Sequence, residues 1–253
     1  MIQNSIKLIK SKLKNYIEKM LKIVTWNMCY WQHRNLFSDS WEYLSQKINP
    51  DIALLQETVP PQEENSLKHF VWQTIGEKRN WGSGIFSKYP VVEVIFGNSY
   101  SGYVTVGEVS ILNNAKLTVV SIHAPLEDTY SIIPLHRIFS DLTLLLEGRM
   151  GNRTIVLGGD FNASIQWDRR QKNESHRIFF ERVKNFGLCD CLGKFYTKPI
   201  QTYRHPQGNT PWQLDHLFIS NEVENTLQKC YVIENENIVK FSDHNPIVAE
   251  LNI

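Results

Sequence analysis

The sequence lacks the features that mark secreted, disulfide-stabilised and membrane-spanning proteins. Its four cysteines are Cys29, Cys189, Cys191 and Cys230. They form no Cys-x-x-Cys pair, and a chain of 253 residues needs no disulfides for stability, so neither a zinc ribbon nor a disulfide framework is expected. No apolar run reaches the ~18 residues of a membrane span, and lysines interrupt the apolar residues near the N-terminus. We therefore expect a cytoplasmic protein.

The sequence also lacks an excess of charge of either sign, with 27 Lys and Arg residues against 26 Asp and Glu residues. This balance hides an uneven distribution. Residues 1–22 contain six lysines and one glutamate, a net charge of +5, whereas the other 231 residues have 21 basic and 25 acidic side chains, a net charge of −4. The chain is therefore a basic segment followed by a mildly acidic body, and the overall charge describes neither part.

A helical pattern marks residues 1–21. Apolar residues recur there at intervals of three and four, with lysines on the other faces: Ile2, Ile6, Ile9, Leu13, Ile17 and Met20. We expect a basic amphipathic helix that extends from a compact domain of residues 22–253. Residues 1–20 suit contact with a membrane surface or a protein partner, although a chain start assigned too early gives the same pattern.

The body repeats one pattern, in which a short apolar run rich in β-branched residues ends in polar residues. The clearest runs are Lys22–Asn27, Asp51–Glu57, Lys116–His123, Thr154–Asn162, Gln213–Ser220 and Phe241–Leu251. Weaker strand patterns are Gly84–Ser87, Val91–Phe96 and Tyr103–Leu112, and helical patterns are Trp41–Ile48, Pro134–Glu147 and Ser175–Phe186. Strands that are apolar throughout need another layer against them, so the sequence predicts a layered α/β sandwich.

The polar residues at the strand ends are of the types that bind divalent cations and phosphates. They are Asn27, Glu57, His123, Asp160, Asn162, Asp215, His216, Asp243 and His244. Mg²⁺ prefers carboxylate and amide oxygens, histidines titrate near neutral pH, and the His-Glu-x-x-His motif of zinc proteases is absent. Each segment alone also fits a turn or a helix cap. Their joint occurrence at strand ends favours metal-assisted phosphate-ester chemistry.

Seven segments carry these residues along the chain: Ile23–Asn27, Leu54–Glu57, Gly82–Ser87, Ser121–Pro125, Gly158–Asn162, Leu214–His216 and Ser242–Pro246. In type and order they resemble the motifs of the endonuclease/exonuclease/phosphatase superfamily, which has the deoxyribonuclease-I-like fold. The resemblance covers residues 23–253. It implies a four-layer α/β sandwich, in which two packed mixed β-sheets are flanked by helices and the site lies at one end.

The resemblance also implies a metal centre. Glu57 would be the principal ligand, with Asn27 and Asp243 nearby in the metal or phosphate shell. The ion would be Mg²⁺, with Mn²⁺ as a second choice, acting as a Lewis acid on a phosphoryl oxygen. We expect hydrolysis of a phosphodiester by activated water, without a covalent enzyme intermediate.

Catalytic roles follow from the same resemblance. His244 would be the general base or a phosphate-contacting imidazole, held in one tautomer by Asp215. His123 would stabilise charge on the phosphate or the leaving oxygen. Asp160 and Asn162 would orient the water and the phosphate. Whether Asp160 or His244 takes the proton is left open.

Two departures from the family bear on the substrate. Apurinic-site endonucleases of this family have a tyrosine near the position of His123, and an aromatic Thr-Phe-Trp-Thr-Tyr segment before the Leu-Asp motif. Here that segment reads Gln201–Pro206, which disfavours a dedicated abasic-site enzyme. The wider group contains deoxyribonucleases, DNA-end-processing phosphodiesterases, deadenylases, inositol phosphatases and sphingomyelinases, and the fold does not choose among them.

Three functions therefore stay open. The first is a nuclease that acts on DNA or RNA, with substrate contacts from Arg169, Arg170, Arg204 and Trp212. The second is a lipid or inositol phosphodiesterase or phosphatase that uses residues 1–20 at a membrane. The third is a binding protein that has lost catalysis, which the complete set of catalytic residue types disfavours.

Overall fold

Twelve β-strands form two sheets in the computed structural model, which describes residues 20–111, 115–127, 131–150 and 154–252. The strands are β1 (Met20–Asn27), β2 (Ile52–Thr58), β3 (His69–Thr74), β4 (Gly82–Ser87), β5 (Val91–Glu93), β6 (Val104–Ser110), β7 (Lys116–His123), β8 (Ile155–Asp160), β9 (Leu188–Asp190), β10 (Asp215–Ser220), β11 (Leu227–Val232) and β12 (Ile247–Asn252). The first sheet has the order β11-β12-β1-β2-β4-β3, and the second has the order β5-β6-β7-β8-β10-β9. Both sheets are mixed, since β1 with β2 and β7 with β8 are parallel pairs and the other pairs are antiparallel.

The helices lie on the outer faces of the sheets. They are α1 (Phe37–Glu42), which continues into π-helical turns at Tyr43–Ile48, α2 (Ile132–Asp141), α3 (Thr143–Leu146), α4 (Ile165–Gln171), α5 (Ser175–Asn185) and α6 (Glu236–Phe241), with short 3₁₀ turns at Arg34–Leu36 and Asn221–Thr226. Side chains of α1 and α6 pack on the first sheet, and side chains of α2, α3 and α5 pack on the second. None of the helices in the described ranges is both long and apolar enough to cross a membrane.

Neighbouring residues of β1 show why its sequence is apolar throughout. Ile23 belongs to the core between the two sheets, together with Val119 of β7 and Leu217 of β10. Val24 and Trp26, which point the other way along the strand, belong to the core beneath the outer helices. Both faces of the strand are therefore buried, as in sheets covered on each side. This arrangement confirms the predicted four-layer sandwich.

Several boundaries differ from the prediction. The strand predicted over Phe241–Leu251 starts only at Ile247, because Phe241 is the last residue of α6. The helix predicted over Pro134–Glu147 is divided into α2 and α3. Met20 and Leu21, predicted to belong to the N-terminal extension, pair with β12 as part of β1. The amphipathic helix predicted for residues 1–21 otherwise lies outside the described residues.

The topology brings six strand ends to one edge of the sandwich. The carboxyl ends of β1 and β2 meet because these strands are parallel, and the same holds for β7 and β8. β12 runs antiparallel to β1, and β10 runs antiparallel to β8. The residues that precede or begin β12 and β10 therefore lie at the same edge, and this edge carries the polar residues of the predicted site.

Candidate active site

The eight residues predicted to catalyse or to bind metal lie together at this edge. Asn27 connects the two sheets, because its Nδ2 donates a hydrogen bond of 3.1 Å to Asp160 Oδ2. A second connection joins His123 Nε2 of the second sheet to Glu57 Oε1 of the first, at 3.5 Å. The other members are Asn162, Asp215, Asp243 and His244. Residues that are up to 217 positions apart in the sequence, Asn27 and His244, thus form one centre.

His244 is buried beside two carboxylates. Its Nδ1 lies 2.8 Å from Asp215 Oδ2, and its Nε2 lies 3.8 Å from Asp160 Oδ2. Ser242 fixes the backbone here, since its Oγ accepts the His244 N–H and donates to the Asn27 carbonyl. Burial alone would lower the pKa of His244, but the charges of Asp215 and Asp160 outweigh it and raise the pKa to about 10. The imidazole is therefore a cation at neutral pH.

Asp160 is held at both oxygens. Its Oδ1 accepts the Asn162 N–H at 2.9 Å, and its Oδ2 accepts the amide of Asn27. Burial raises the pKa of Asp160 to about 7, against a lowering effect of His244. Gly159, just before it, is required by close packing, because a Cβ there would lie 1.7 Å from the Ile122 carbonyl oxygen. The side chain is thus fixed and titrates near neutral pH.

A β-bulge directs Glu57 toward the centre. The register of β2 against β4 shifts between Leu55 and Thr58, and Glu57 has a positive φ of 46°. Its Oε2 is buried and has no hydrogen-bond partner among the residues that the structure describes. Burial raises the pKa of its carboxyl, with opposing effects from His244, Asn27 and Trp31. A strained backbone and an unpaired buried carboxylate oxygen are features of functional sites rather than of stable cores.

His123 is a neutral imidazole, in contrast to the cationic His244. Burial lowers its pKa to about 3, and the charges of His244 and Arg79 add to this effect. Its ring packs near Trp81 and Tyr103, with centroids 6.0 and 5.6 Å away. The contact of its Nε2 with the Glu57 carboxylate is therefore that of a neutral imidazole, and the nearby carboxylates do not make it a cation.

The residues at this centre fit a hard divalent cation. Glu57 offers the unpartnered Oε2, the Asn27 Oδ1 accepts only the Cys29 N–H, and Asp243 lines the adjoining cleft. In the described part of the chain, Asp160, Asp215 and His244 also have potential ligand atoms within 4.8 Å of one another. Asp215 Oδ1, like Glu57 Oε2, is buried without a hydrogen-bond partner among the described residues. Glu57 lines the open cleft and Asp215 does not, so the Glu57 side of the centre is the better place for an ion.

A cleft of about 880 Å³ opens over these residues. Five aromatic side chains line it: Trp31, Trp81, Tyr103, Trp167 and Tyr203. Arg79 is the one Lys or Arg among the described residues of its wall. Arg79, Trp81, Tyr103 and Tyr203 were not predicted as cleft residues, because they belong to loops and strands with no motif. Trp31 is about half exposed, at 48%.

None of the four residues predicted to contact substrate lines this cleft. Trp212 is buried and stacks on Trp167, with ring centroids 4.4 Å apart. The Arg170 guanidinium lies 5.6 Å from the Trp167 ring centroid, and Arg169 is exposed on α4. The half-buried Arg204 donates to the Ser242 carbonyl and to the Asn245 side chain. Substrate contact by these four residues stays a prediction.

Comparison with known proteins finds a matching family model and a similar exodeoxyribonuclease. The model of the Endonuclease/Exonuclease/phosphatase family matches residues 24–244. An exodeoxyribonuclease of Bacillus subtilis (strain 168) is 22% identical over 259 residues, which cover 92% of this chain and 100% of that protein.

Solved structures with the same architecture include two DNA-processing enzymes. A 3′ phosphatase from Neisseria bound to a product DNA hairpin has a TM-score of 0.70 and 22% identity, over 92% of this chain and 100% of that one. An AP endonuclease from Archaeoglobus fulgidus has a TM-score of 0.69 and 21% identity, with the same coverage. At these identities the structural similarity shows the fold.

Proposed function

The chain belongs to the endonuclease/exonuclease/phosphatase family, and from this membership we propose that it is a metal-dependent nuclease that hydrolyses phosphodiester bonds with activated water. One observation carries the proposal. The unpartnered Oε2 of Glu57 lies in the same buried centre as the hydrogen-bonded pair of Asp215 and His244, at the floor of an open cleft. The similarity to an exodeoxyribonuclease favours DNA over RNA.

In this proposal His244 binds the phosphate as a cation. Its Nδ1 lies 2.8 Å from Asp215 Oδ2, so the Nδ1–H is used and the Nε2–H faces the centre. With a pKa of about 10 the ring keeps both protons at neutral pH. A charged ring that cannot accept a proton is suited to stabilise negative charge that develops on the phosphate.

Asp160 is then the better candidate for the general base. Its pKa of about 7 leaves a large fraction ionised at neutral pH and gives that fraction useful basicity. The hydrogen bonds from Asn27 and from the Asn162 N–H hold the carboxylate in one orientation. We therefore assign the proton of the attacking water to Asp160, and we assign phosphate binding to His244.

Glu57, Asn27 and Asp243 would hold the cation, which we take to be Mg²⁺ or Mn²⁺. When bound, the ion supplies Lewis-acid polarisation of a phosphoryl oxygen. His123, as a neutral imidazole, donates its Nε2–H toward oxygens at this side of the centre. It would stabilise the leaving oxygen without adding a second cation.

The other two functions have less support. Lipid or inositol phosphate hydrolysis at a membrane depends on residues 1–20, which lie almost wholly outside the described residues. Loss of catalysis conflicts with the presence of all eight predicted residues at one centre. Both functions are nevertheless outcomes that a substrate screen distinguishes from nuclease activity.

The experiment is a hydrolysis screen of the purified full chain in Mg²⁺, Mn²⁺ and excess chelator. Substrates are single- and double-stranded DNA, RNA of the same sequence, oligonucleotides with an abasic site or a blocked 3′ end, phosphoinositides and sphingomyelin. We expect metal-dependent cleavage of nucleic acid, and a loss in Glu57→Gln on the order of 10²–10³-fold. Glu63→Gln, at an exposed carboxylate outside the cleft, is the matched control.

Three results would contradict the proposal or part of it. A folded wild-type protein that cleaves no nucleic acid in either metal is not a nuclease. Cleavage of lipid substrates alone would assign the enzyme to the second function. Full activity of Glu57→Gln would show that the metal-binding role belongs to other residues.

A further inference from the structure

Apart from His244, the described wall of the cleft has little positive charge for binding a polyanion. Three carboxylates, Glu57, Asp160 and Asp243, line it, and among the described Lys and Arg residues only Arg79 does. A strand of nucleic acid carries a negative charge at every phosphate, and proteins bind those charges mainly through Lys and Arg. The position of Arg79 is therefore informative about where a strand runs.

Arg79 is held in place by aromatic side chains instead of by an acid. Its Nη1 donates to the Tyr103 hydroxyl at 3.2 Å, and its guanidinium lies 5.1 Å from the Trp81 ring centroid. No carboxylate among the described residues lies within 4.0 Å of it, whereas Arg137 and Arg149 each pair with one and Arg177 pairs with two. The guanidinium thus has a defined position and keeps most of its donors for another partner.

The same two rings connect Arg79 to the reacting centre. Trp81 and Tyr103 both pack near the ring of His123, which reaches the Glu57 carboxylate. Arg79 contacts the same two residues, through the Tyr103 hydroxyl and over the Trp81 ring. A phosphate held by Arg79 would therefore lie beside these rings, whereas the phosphate that is hydrolysed would lie at Glu57, Asp160 and His244.

We propose that Arg79 binds the phosphate adjacent to the one that is hydrolysed, so that the cleft takes at least two consecutive phosphates of one strand. This inference rests on the proposed nuclease function and narrows its substrate to a strand with a flanking phosphate. The aromatic wall supports it, because rings beside a phosphate contact are the usual means of binding the bases and sugars of a strand.

The test compares Arg79→Ala with the wild type on two substrates. On an oligonucleotide we expect KM to rise about tenfold, which corresponds to a loss of about 1.4 kcal/mol of binding free energy. The contact is equally strong in the ground state and in the transition state, so kcat should stay within a factor of about two. Bis(4-nitrophenyl) phosphate has only the phosphate that is cleaved. Its hydrolysis should therefore be unchanged by the substitution.

A binding measurement makes the test independent of turnover. In the Glu57→Gln background, fluorescence anisotropy gives the affinity for a labelled oligonucleotide at several salt concentrations. Arg79→Ala should weaken binding about tenfold and reduce the slope of log K against log[salt] by about 0.7 for a single strand. DNA and RNA probes of one sequence show which strand the cleft prefers.

Matched variants show whether an effect of Arg79→Ala comes from the lost charge, from the lost planar group or from a less stable fold. Arg79→Lys keeps the charge but loses the planar group that stacks on Trp81, so it should restore the salt slope and only part of the affinity. Arg149 is 70% exposed and precedes β8, at the end of that strand away from Asp160. Arg149→Ala should therefore change neither the affinity nor the salt slope. Thermal unfolding should be the same for all three variants.

The outcomes are distinct. An equal loss of activity on both substrates would overturn the inference, because Arg79 would then act on the cleaved phosphate or on the fold. Unchanged affinity and salt slope in the binding measurement would overturn it as well. Oligonucleotide binding that depends on Arg79, together with no hydrolysis by the wild type, would instead refute the nuclease proposal and retain Arg79 as a phosphate contact.

Discussion

The two histidines of the site show how strongly local environment controls one residue type. His244 faces Asp215 at 2.8 Å and Asp160 at 3.8 Å, and its pKa is raised to about 10. His123 lies 3.5 Å from Glu57, yet burial and nearby positive charge lower its pKa to about 3. One ring is therefore a cation and the other is neutral, which agrees with the different roles that we propose for them.

Asp215→Asn tests the charge state of His244. Asp215 raises the pKa of His244, so its replacement by a neutral amide lowers that pKa. The ring then loses its proton at a lower pH, and the alkaline limb of the pH–rate profile should move to lower pH. We expect kcat to fall by about 10- to 100-fold, as is usual when the partner that orients a functional histidine is removed.

The control for this prediction is Asp51→Asn. Asp51 is also buried, but it lies at the start of β2, pairs with Lys88 at 3.3 Å and is remote from the site. This variant should lose stability without any movement of the alkaline limb. An Asp215→Asn enzyme with an unchanged limb would mean that His244 is not the cation that the reaction requires.

At the residue scale, strand-end position was sufficient to predict which polar residues the fold brings together, while their catalytic roles stay a prediction. Asn27 and Glu57 end neighbouring parallel strands, as do His123 and Asp160, so chain topology alone brings them together. Arg79 could not be found in this way. It lies in a loop without a motif, and its place in the cleft depends on Trp81 and Tyr103, which contact it only in the folded chain.

At the scale of elements, one short segment links the two loops that carry Asp215 and His244. Thr202 accepts the Asp215 N–H with its Oγ1 and the Asn245 N–H with its carbonyl oxygen. Arg204, two residues later, donates to Ser242 and Asn245 on either side of His244. Residues 201–204, which we call the clamp, therefore hold Asp215 and His244 in fixed positions relative to each other.

Arg204→Ala distinguishes this positioning role from the predicted substrate contact. It leaves the buried Asn245 Oδ1 without its guanidinium partner, so we expect the free energy of unfolding to fall by about 1–3 kcal/mol. Because His244 is less well held, kcat should fall, while KM and the salt dependence of binding stay the same. Urea unfolding and steady-state kinetics measure these effects.

A substrate contact would have the opposite signature. If Arg204 binds a phosphate, Arg204→Ala should raise KM and reduce the salt slope, with little change in stability. Arg169→Ala is a useful comparison, because this exposed arginine on α4 has no such contacts to the His244 loop. Equal effects of Arg204→Ala and Arg169→Ala on kcat and stability would contradict a positioning role for Arg204.

The success of the sequence prediction at this scale depended on burial. β7 was predicted with its observed bounds, since both of its faces are covered and every residue from Leu117 to His123 is buried. β3 and β11 were not predicted, because they are sheet-edge strands with mixed burial and no clear alternation. Phe241 was assigned to a strand because a single apolar residue at a helix end has no period of its own.

At the scale of the whole molecule, the sandwich concentrates its unfavourable charges at one end. The interior between the sheets is mainly apolar, and Asp160, Asp215 and the largely buried Glu57 lie where that interior reaches the cleft. Buried carboxylates are costly unless they are paired or bind a cation. The net charge of −4 on the body includes these groups, and a bound metal would offset them locally.

Glu57→Gln should therefore stabilise the metal-free protein, since it removes a buried charge that has an unpartnered oxygen. A gain of about 1 kcal/mol corresponds to roughly 2–4 °C in Tm at this chain length. Saturating Mg²⁺ should reverse the order, because the wild type gains about 2.7 kcal/mol at 100 times its Kd and the variant gains less. Calorimetry in chelator and in Mg²⁺, with Glu63→Gln as the control, measures both effects. A wild type more stable than Glu57→Gln in chelator would show that the carboxylate is paired without metal.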